Sequence, residues 1–246
     1  MNLYIDVGNT ATKFAIDNNQ EIKHLKTIDT KRINEEDDVL DVLELDNITG
    51  VYVSSVVPLA SKKIKEYFRR KYNIVAIFIS PEDKSGVIID IDNKDELGAD
   101  LLCDLAGAKV LFGFPLLIID LGTATKFLFI DNKGVFFTCA IIQGLELSLR
   151  NLSQNTALLP LLSFDEVKPL LENKNTKDVL VSSAYYSHVD MINGMVARYK
   201  KEVGYPFKVI LTGGNIKNIQ KDLDFDYEVK NNLCLEGIKV IVNLRK

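Results

Sequence analysis

The sequence has few of the residues that build disulfide frameworks and zinc centres. Among its 246 residues are three cysteines and two histidines, and neither a Cys-x-x-Cys nor a His-Glu-x-x-His pattern occurs. Cys103, Cys139 and Cys234 are far apart and odd in number, which argues against both kinds of site and favours a reducing compartment. We therefore expect all three cysteines to be buried as small hydrophobic residues.

Long apolar runs and an excess of positive charge are absent too. No uninterrupted apolar stretch reaches about 18 residues, and no basic segment precedes a long apolar run at the N-terminus, so neither a membrane-spanning helix nor a signal peptide is predicted. Lys and Arg number 30 against 34 Asp and Glu, a net charge of -4, which disfavours a nucleic-acid-binding protein. The expectation is a cytoplasmic protein without a nucleic-acid or membrane partner.

Two common nucleotide-binding motifs are also missing. The sequence contains neither Gly-x-x-x-x-Gly-Lys-Ser/Thr nor Gly-x-Gly-x-x-Gly. A P-loop enzyme and an ordinary dinucleotide-binding domain are therefore disfavoured.

What the sequence does have is an internal repeat. Residues 3–17 read as an apolar run, then Asp-Val-Gly-Asn-Thr-Ala-Thr-Lys-Phe, then a second apolar run that ends in Asp. Residues 117–131 repeat this pattern around Asp-Leu-Gly-Thr-Ala-Thr-Lys-Phe. The first aspartates, Asp6 and Asp120, are separated by nearly half the chain, which indicates duplicated half-domains and not a solenoid, whose period is about 20–50 residues.

Local patterns predict the same plan in both halves. Each half begins with three short strands and continues with alternating helices and strands, which is typical of an α/β fold with mixed sheets. We predict two halves, residues 1–113 and 114–246, without a flexible linker between them. The predicted elements after the opening strands include helices over 60–72, 96–112 and 177–203 and a strand over 74–79.

The first copy of the repeat has the composition of a phosphate-binding loop. A strand delivers Asp6 at its carboxyl end, and Gly8 permits a sharp turn with close backbone approach to a ligand. Backbone amides of such a turn, with the hydroxyls of Thr10 and Thr12, can bind phosphate oxygens, and Lys13 adds a positive charge.

The second copy, from Asp120 to Thr123, is predicted to face the first. Two acidic tips would repel a polyphosphate, since one pair of like charges about 4 Å apart costs about 4 kcal/mol at an effective dielectric of 20. The arrangement therefore implies bound Mg²⁺ or another cation. One Asp-x-Gly after a strand is more often a simple turn, but two copies at matched positions favour phosphate binding.

Asp100 and Thr176 each have both a structural and a functional interpretation. Asp100 lies in the first turn of a predicted helix, where a carboxylate usually interacts with the helix dipole. Beside two phosphate loops it could instead accept the proton of a substrate hydroxyl that attacks a γ-phosphate. Thr176 precedes the long helix and is predicted to be its N-cap.

Taken in order, these motifs resemble those of the type III pantothenate kinases. That family comprises bacterial enzymes that begin coenzyme A synthesis, is related to the Bvg accessory factors, and is matched here over nearly the whole chain. The matching segments are Asp6-Val-Gly-Asn-Thr10, Gly98-Ala-Asp100, Asp120-Leu-Gly-Thr123, the segment from Gly144 to Pro160, Asn175-Thr176 and Ile210-Leu-Thr-Gly-Gly214.

The resemblance implies a fold, an activity and cofactors. The implied fold is the duplicated ribonuclease H-like fold of the actin and hexokinase ATPases, in a homodimer. The implied reaction is ATP-dependent phosphorylation of pantothenate to 4'-phosphopantothenate, with Mg²⁺ and a monovalent cation, K⁺ or NH₄⁺.

The resemblance also implies roles for individual positions. Asp100 corresponds to the general base, and Asp120 to the ligand of the monovalent cation. The positions implied to bind ATP are Asp6, Val7, Gly8, Asn9, Thr10, Ala11, Thr12, Lys13 and Thr123. The positions implied to bind pantothenate are Gly98, Ala99, Asp100, Leu101 and Thr176.

Four positions depart from the family pattern. Leu101 stands where Arg is usual, and Leu cannot supply the positive charge. Ile91 replaces an aromatic residue, Lys126 a second Thr, and Gln143 a Pro. Besides pantothenate phosphorylation, these departures leave open a kinase for another small hydroxylated acceptor and a non-catalytic, regulatory protein.

Overall fold

Eleven short strands form two mixed sheets in the computed structural model, which describes residues 1–17, 21–164 and 166–245. The strands are β1 (Asn2–Val7), β2 (Ala11–Asp17), β3 (Ile22–Asp29), β4 (Gly50–Ser55), β5 (Ile77–Phe78), β6 (Ile88–Ile89), β7 (Leu116–Leu121), β8 (Ala124–Ile130), β9 (Val135–Gln143), β10 (Lys208–Thr212) and β11 (Glu228–Val229). The α-helices are α1 (Thr30–Glu35), α2 (Pro58–Tyr72), α3 (Ala99–Phe112), α4 (Leu145–Gln154), α5 (Thr176–Val203), α6 (Ile216–Ile219) and α7 (Leu233–Leu244).

The chain divides into two units, each built from separate stretches of sequence. Unit 1 comprises Met1–Phe114, Ile130–Phe137 and Asn232–Lys246, and unit 2 comprises Pro115–Phe129 and Thr138–Asn231. The C-terminal helix α7 therefore belongs to unit 1.

The sheet of unit 1 carries the first copy of the repeat on its central strand. Its order is β3-β2-β1-β4-β5, with β1, β2 and β3 antiparallel and β4 parallel to β1. The helix α2 begins at Pro58, whose fixed φ suits a first helical position, and ends before Asn73 in the left-handed conformation. Ala60, Ile64 and Phe68 recur at helical spacing and are fully buried in the core beside the sheet.

Most residues of the helix α3 are apolar, and residues 101–108 are all buried. A helix buried over eight successive residues must be covered by other elements, and α7 packs along it within unit 1. Residues 101–108 include a buried carboxylate, Asp104.

The second sheet repeats the topology of the first. Its order is β11-β10-β7-β8-β9-β6, so that β9-β8-β7-β10-β11 matches β3-β2-β1-β4-β5, and β10 is parallel to β7 as β4 is to β1. The predicted duplication and the α/β fold with mixed sheets are confirmed. In unit 2, α5 ends at Gly204 in the left-handed conformation. Within the described ranges, a helix with the length and hydrophobicity of a membrane span is not found.

Two predicted element boundaries differ from the structure. The strand predicted over 74–79 is reduced to β5, because only Tyr52 and Val53 of β4 pair with it. The helix predicted from residue 96 begins at Ala99, because a separate 3₁₀ turn, Lys94–Glu96, precedes it.

One prediction about the cysteines is wrong. Cys103 and Cys234 are buried, as expected, but Cys139 is exposed. Cys139 lies on β9, where residues 137–139 are exposed in succession, so that this strand does not bury every apolar side chain that it carries.

Candidate active site

The first candidate element is the turn between β1 and β2, which we call the first hairpin (Asp6–Lys13). The backbone amide of Gly8 donates to the carbonyl of Ala11 over 3.1 Å, which closes the turn and leaves Asn9 and Thr10 exposed. Asp6 and Lys13 are directly opposite in the antiparallel register, so their side chains lie on the same face of the sheet.

Thr12 anchors this hairpin from inside unit 1. Its side chain is fully buried, and its hydroxyl lies 2.9 Å from the hydroxyl of Thr30. Thr30, at the start of α1, donates to the carbonyl of Gly8 over 2.7 Å, and its amide donates to the carbonyl of Thr10 over 3.0 Å. The hydroxyl of Thr12 therefore shapes the loop, whereas the exposed backbone of residues 9–10 is the part that a ligand can reach. Val7 is buried as well.

The second candidate element is the first turn of α3. Gly98 is its N-cap, and Ala99 and Leu101 are buried, whereas Asp100 is half-buried. A Cβ built on Gly98 would lie 2.5 Å from Oδ1 of Asp100, so the carboxylate lies directly over the start of the helix. A negative charge at that place is stabilised by the helix dipole.

Two buried thiols of unit 1 lie on α3 and α7, Cys103 and Cys234. A hydrogen bond with Cys103 and burial raise the pKa of the Cys234 thiol well above its usual value, and the carboxylates of Asp6 and Asp104 raise it further. The thiol therefore stays protonated near neutral pH, and it is not an activated nucleophile. The same interactions place Cys234 near both Asp6 and Asp104.

The second hairpin (Asp120–Lys126) joins β7 to β8 in unit 2. The amide of Gly122 donates to the carbonyl of Ala124 over 3.2 Å, so this turn is one residue shorter than the first. Thr123 is exposed at its tip. Nζ of Lys126 lies 2.9 Å from Oδ2 of Asp120, and the two side chains are 17% and 16% exposed. The carboxylate predicted to bind a monovalent cation thus already has a cationic partner.

Two backbone segments of unit 2 cover the second hairpin. At the start of α4, the amide of Gly144 donates to the carbonyl of Thr123 over 3.1 Å, and a Cβ on Gly144 would lie 2.5 Å from that oxygen. Gly213 has φ +102°, and its Cβ would lie 2.5 Å from the carbonyl oxygen of Leu121. The Thr-Gly-Gly turn after β10 therefore packs against the protein's own backbone, and this packing explains why a glycine is needed at position 213.

Thr125 of the second hairpin is buried, and its hydroxyl lies 3.1 Å from Nε2 of His188 on α5. Burial lowers the pKa of His188, so the imidazole is neutral near pH 7. The sequence did not indicate this contact, because 63 residues separate the two side chains.

Thr176 is exposed at the first position of α5. The prediction that it is the N-cap is wrong, because Asn175 is the N-cap and its side chain accepts from the amide of Asp178 over 2.9 Å. The hydroxyl of Thr176 is not used as a helix cap, and its role in pantothenate binding stays a prediction.

In the described residues, no group of three or more His, Cys, Asp or Glu side chains could hold a metal ion. A catalytic metal held entirely by the protein would need such a group.

Comparisons with known proteins agree with the sequence motifs. A family model described as type III pantothenate kinase matches residues 2–198. A type III pantothenate kinase of Acholeplasma laidlawii is 34% identical over 97% of this chain and 96% of its own, and one of an Exiguobacterium species is 32% identical over 98% of each chain. A candidate 2-dehydro-3-deoxygalactonokinase of Sinorhizobium meliloti, 9% identical, has a TM-score of 0.66 over 99% of this chain and 96% of its own, which bears on the fold alone.

Proposed function

The chain belongs to the type III pantothenate kinase family, and from that premise we propose that it phosphorylates pantothenate with ATP, giving 4'-phosphopantothenate in the first step of coenzyme A biosynthesis. The single observation that carries the proposal is the family match over residues 2–198, which includes both hairpins and the first turn of α3. A non-catalytic role is not favoured.

In this proposal the two hairpins supply groups that bind ATP. The amides of the exposed turn in the first hairpin bind phosphate oxygens, and Lys13, on the same face as Asp6, adds a positive charge. In the second hairpin, the exposed Thr123 offers a hydroxyl. Thr12 and Val7 contribute by holding the turn, because both side chains are buried. That the two hairpins face one another stays a prediction.

Mg²⁺ fits the residues of the first hairpin. This ion usually keeps several waters and is bound by one or two carboxylates together with substrate phosphates, and Asp6 offers one carboxylate beside the exposed turn. When bound, Mg²⁺ neutralises charge on the β- and γ-phosphate oxygens.

Asp100 is proposed as the general base. As the pantothenate oxygen bonds to the γ-phosphorus, the hydroxyl proton passes to a carboxylate oxygen of Asp100, and the bond between the γ-phosphorus and the bridging oxygen breaks to release ADP. The half-buried carboxylate at the start of α3 supports this role. Gly98, Ala99, Leu101 and Thr176 are proposed to position pantothenate, Ala99 and Leu101 through backbone atoms, since their side chains are buried.

A monovalent cation at Asp120 does not fit in the same way. Oδ2 of Asp120 accepts a hydrogen bond from Nζ of Lys126 in an ion pair. A second cation bound to that carboxylate would lie close to the ammonium. Two like charges about 4 Å apart repel by about 4 kcal/mol at an effective dielectric of 20. We therefore derive no step through K⁺ or NH₄⁺.

A homodimer and a cytoplasmic location are proposed from the resemblance alone. Light scattering coupled to size-exclusion chromatography tests the first, with a mass of twice 27.6 kDa expected. A mass of 27.6 kDa at micromolar concentration would contradict it.

The activity is tested by coupling ADP release to NADH oxidation in the presence of pantothenate, ATP and Mg²⁺. Asp100→Asn keeps the shape of the side chain but removes the base, so we expect kcat to fall by about 10²–10⁴-fold. Asp95→Asn, in the exposed 3₁₀ turn before α3, is the matched control and should keep normal turnover.

Both variants must have the same unfolding midpoint as the parent chain, so that a loss of activity cannot be attributed to unfolding. Full turnover by Asp100→Asn would refute the role of Asp100. No turnover of pantothenate by the parent chain would refute the proposed function.

A further inference from the structure

The ion pair between Lys126 and Asp120 is built into the second hairpin. Both residues lie in unit 2, on the adjacent strands β8 and β7. Nζ and Oδ2 are 2.9 Å apart, and each side chain is more than four-fifths buried. Buried charges are retained only when they are paired, so moving either side chain away would leave a poorly solvated charge.

The turn of the second hairpin is shorter than that of the first by one residue. Thr-Ala-Thr-Lys-Phe occurs in both hairpins, at residues 10–14 and 123–127. The second hairpin has one residue fewer between its Gly and this pentapeptide, and its closing hydrogen bond runs from Gly122 to Ala124. The spacing from Asp120 to Lys126 is therefore one residue shorter than the spacing from Asp6 to Lys13. The ammonium of Lys126 forms an ion pair with the carboxylate of Asp120.

The pair supplies what a monovalent cation would supply. An ammonium group carries one positive charge, as K⁺ and NH₄⁺ do, and it donates hydrogen bonds to carboxylate oxygens at ordinary distances. Its covalent attachment to β8 fixes that charge beside Asp120 without a binding equilibrium. The second hairpin thus combines the acidic residue and its counter-ion in one chain segment.

We propose that the Lys126 ammonium replaces the monovalent cation at Asp120, so that the enzyme needs neither K⁺ nor NH₄⁺. This inference rests on the proposed function, since it concerns the cofactors of the same reaction. It predicts that added K⁺ changes neither turnover nor stability.

The test compares salts at constant ionic strength. Turnover and the thermal unfolding midpoint are measured in about 100 mM KCl, NH₄Cl and tetramethylammonium chloride, the last being too large to enter a carboxylate site. We expect rates of the parent chain to agree within about twofold and its midpoints within about 1 °C.

The variant Lys126→Thr removes the ammonium and leaves Asp120 available. We expect its turnover in tetramethylammonium chloride to fall at least tenfold and to rise again in KCl. Its unfolding midpoint should rise by about 2 °C or more in KCl, as follows for a chain of this length when the cation is present at several times its dissociation constant. Lys133→Met, at an exposed turn position, is the matched control and should behave as the parent chain.

The outcomes separate this inference from the proposed function. K⁺ activation of the parent chain by tenfold or more, or a K⁺-specific rise in its midpoint, would overturn the inference while the function stands. Lys126→Thr without a response to K⁺ in either measurement would also overturn it. If the parent chain fails to phosphorylate pantothenate in every salt, the function is wrong, and the midpoints alone then decide whether Lys126 occupies the cation position.

Discussion

The two hairpins carry the same pentapeptide and differ in what surrounds it. In both, the second Thr and the Phe are buried, at Thr12 and Phe14 in one and at Thr125 and Phe127 in the other. The alternation of buried and partly exposed residues along β2 and β8 begins identically. The repeated sequence therefore determines which side chains face the core in each unit.

The surroundings differ in chemistry. Thr12 is anchored by the hydroxyl of Thr30, and Thr125 by the imidazole of His188. The first turn leaves Asn9 and Thr10 exposed, whereas backbone at Gly144 and Gly213 covers the shorter second turn. A duplicated hairpin thus keeps its core-facing pattern, while the length of its turn and the contacts around it differ between the two copies.

The largest contrast between the hairpins is expected from one glycine that packs against the second hairpin and one that lies in the first. Gly213→Ala would force a Cβ to 2.5 Å from the carbonyl of Leu121 at φ +102°, and such strain and overlap cost about 3 kcal/mol or more. In a chain of this size that lowers the unfolding midpoint by roughly 6–12 °C, which differential scanning calorimetry measures.

Gly8→Ala is the change in the first hairpin with which we compare it. Its Cβ would lie 3.2 Å from the carbonyl of Ala11 and needs no left-handed backbone, so we expect a loss of about 1 kcal/mol at most. Equal midpoints for the two alanine variants would contradict the claim that the second hairpin is the more tightly enclosed.

A smaller contrast is expected from the buried threonines. Thr125→Val keeps the shape but removes the hydroxyl that faces the buried His188, and an unpaired buried polar group costs about 1–3 kcal/mol. Thr12→Val should cost less, about 0.5–1.5 kcal/mol, because Thr30 keeps its hydrogen bond to Gly8. Urea denaturation of both variants checks the order, and a larger loss for Thr12→Val would reverse the comparison.

Much of the fold could be predicted because it is local or repeated. Apolar periodicity identified most of the strands and the long helices, and the echo between residues 3–17 and 117–131 indicated the duplication. The N-cap of α5 was misassigned to Thr176 because Asn175 and Thr176 are both good caps, and only the backbone conformation distinguishes them.

The rest depends on contacts between residues that are distant in sequence. Nothing near Gly213 in the sequence indicates that it touches Leu121, and nothing near α7 indicates that it covers α3. The pairing of Lys126 with Asp120 could not be predicted either, because the sequence places both residues in the second hairpin without indicating that the ammonium bonds to the carboxylate.

The smallest expected effect concerns the pH dependence that His188 adds to unit 2. Burial lowers its pKa from the ordinary 6.5, so below pH 6.5 the unfolded chain binds a proton that the folded chain resists. The stabilisation is complete above pH 6.5 and is lost as the pH falls toward the lowered pKa. Urea midpoints between about pH 7.5 and 5.5 should therefore fall less steeply for His188→Gln than for the parent chain. His24→Gln, on the exposed face of β3, is the control. If the urea midpoint of His188→Gln fell with pH as steeply as that of the parent chain, the pH dependence assigned to His188 would be wrong.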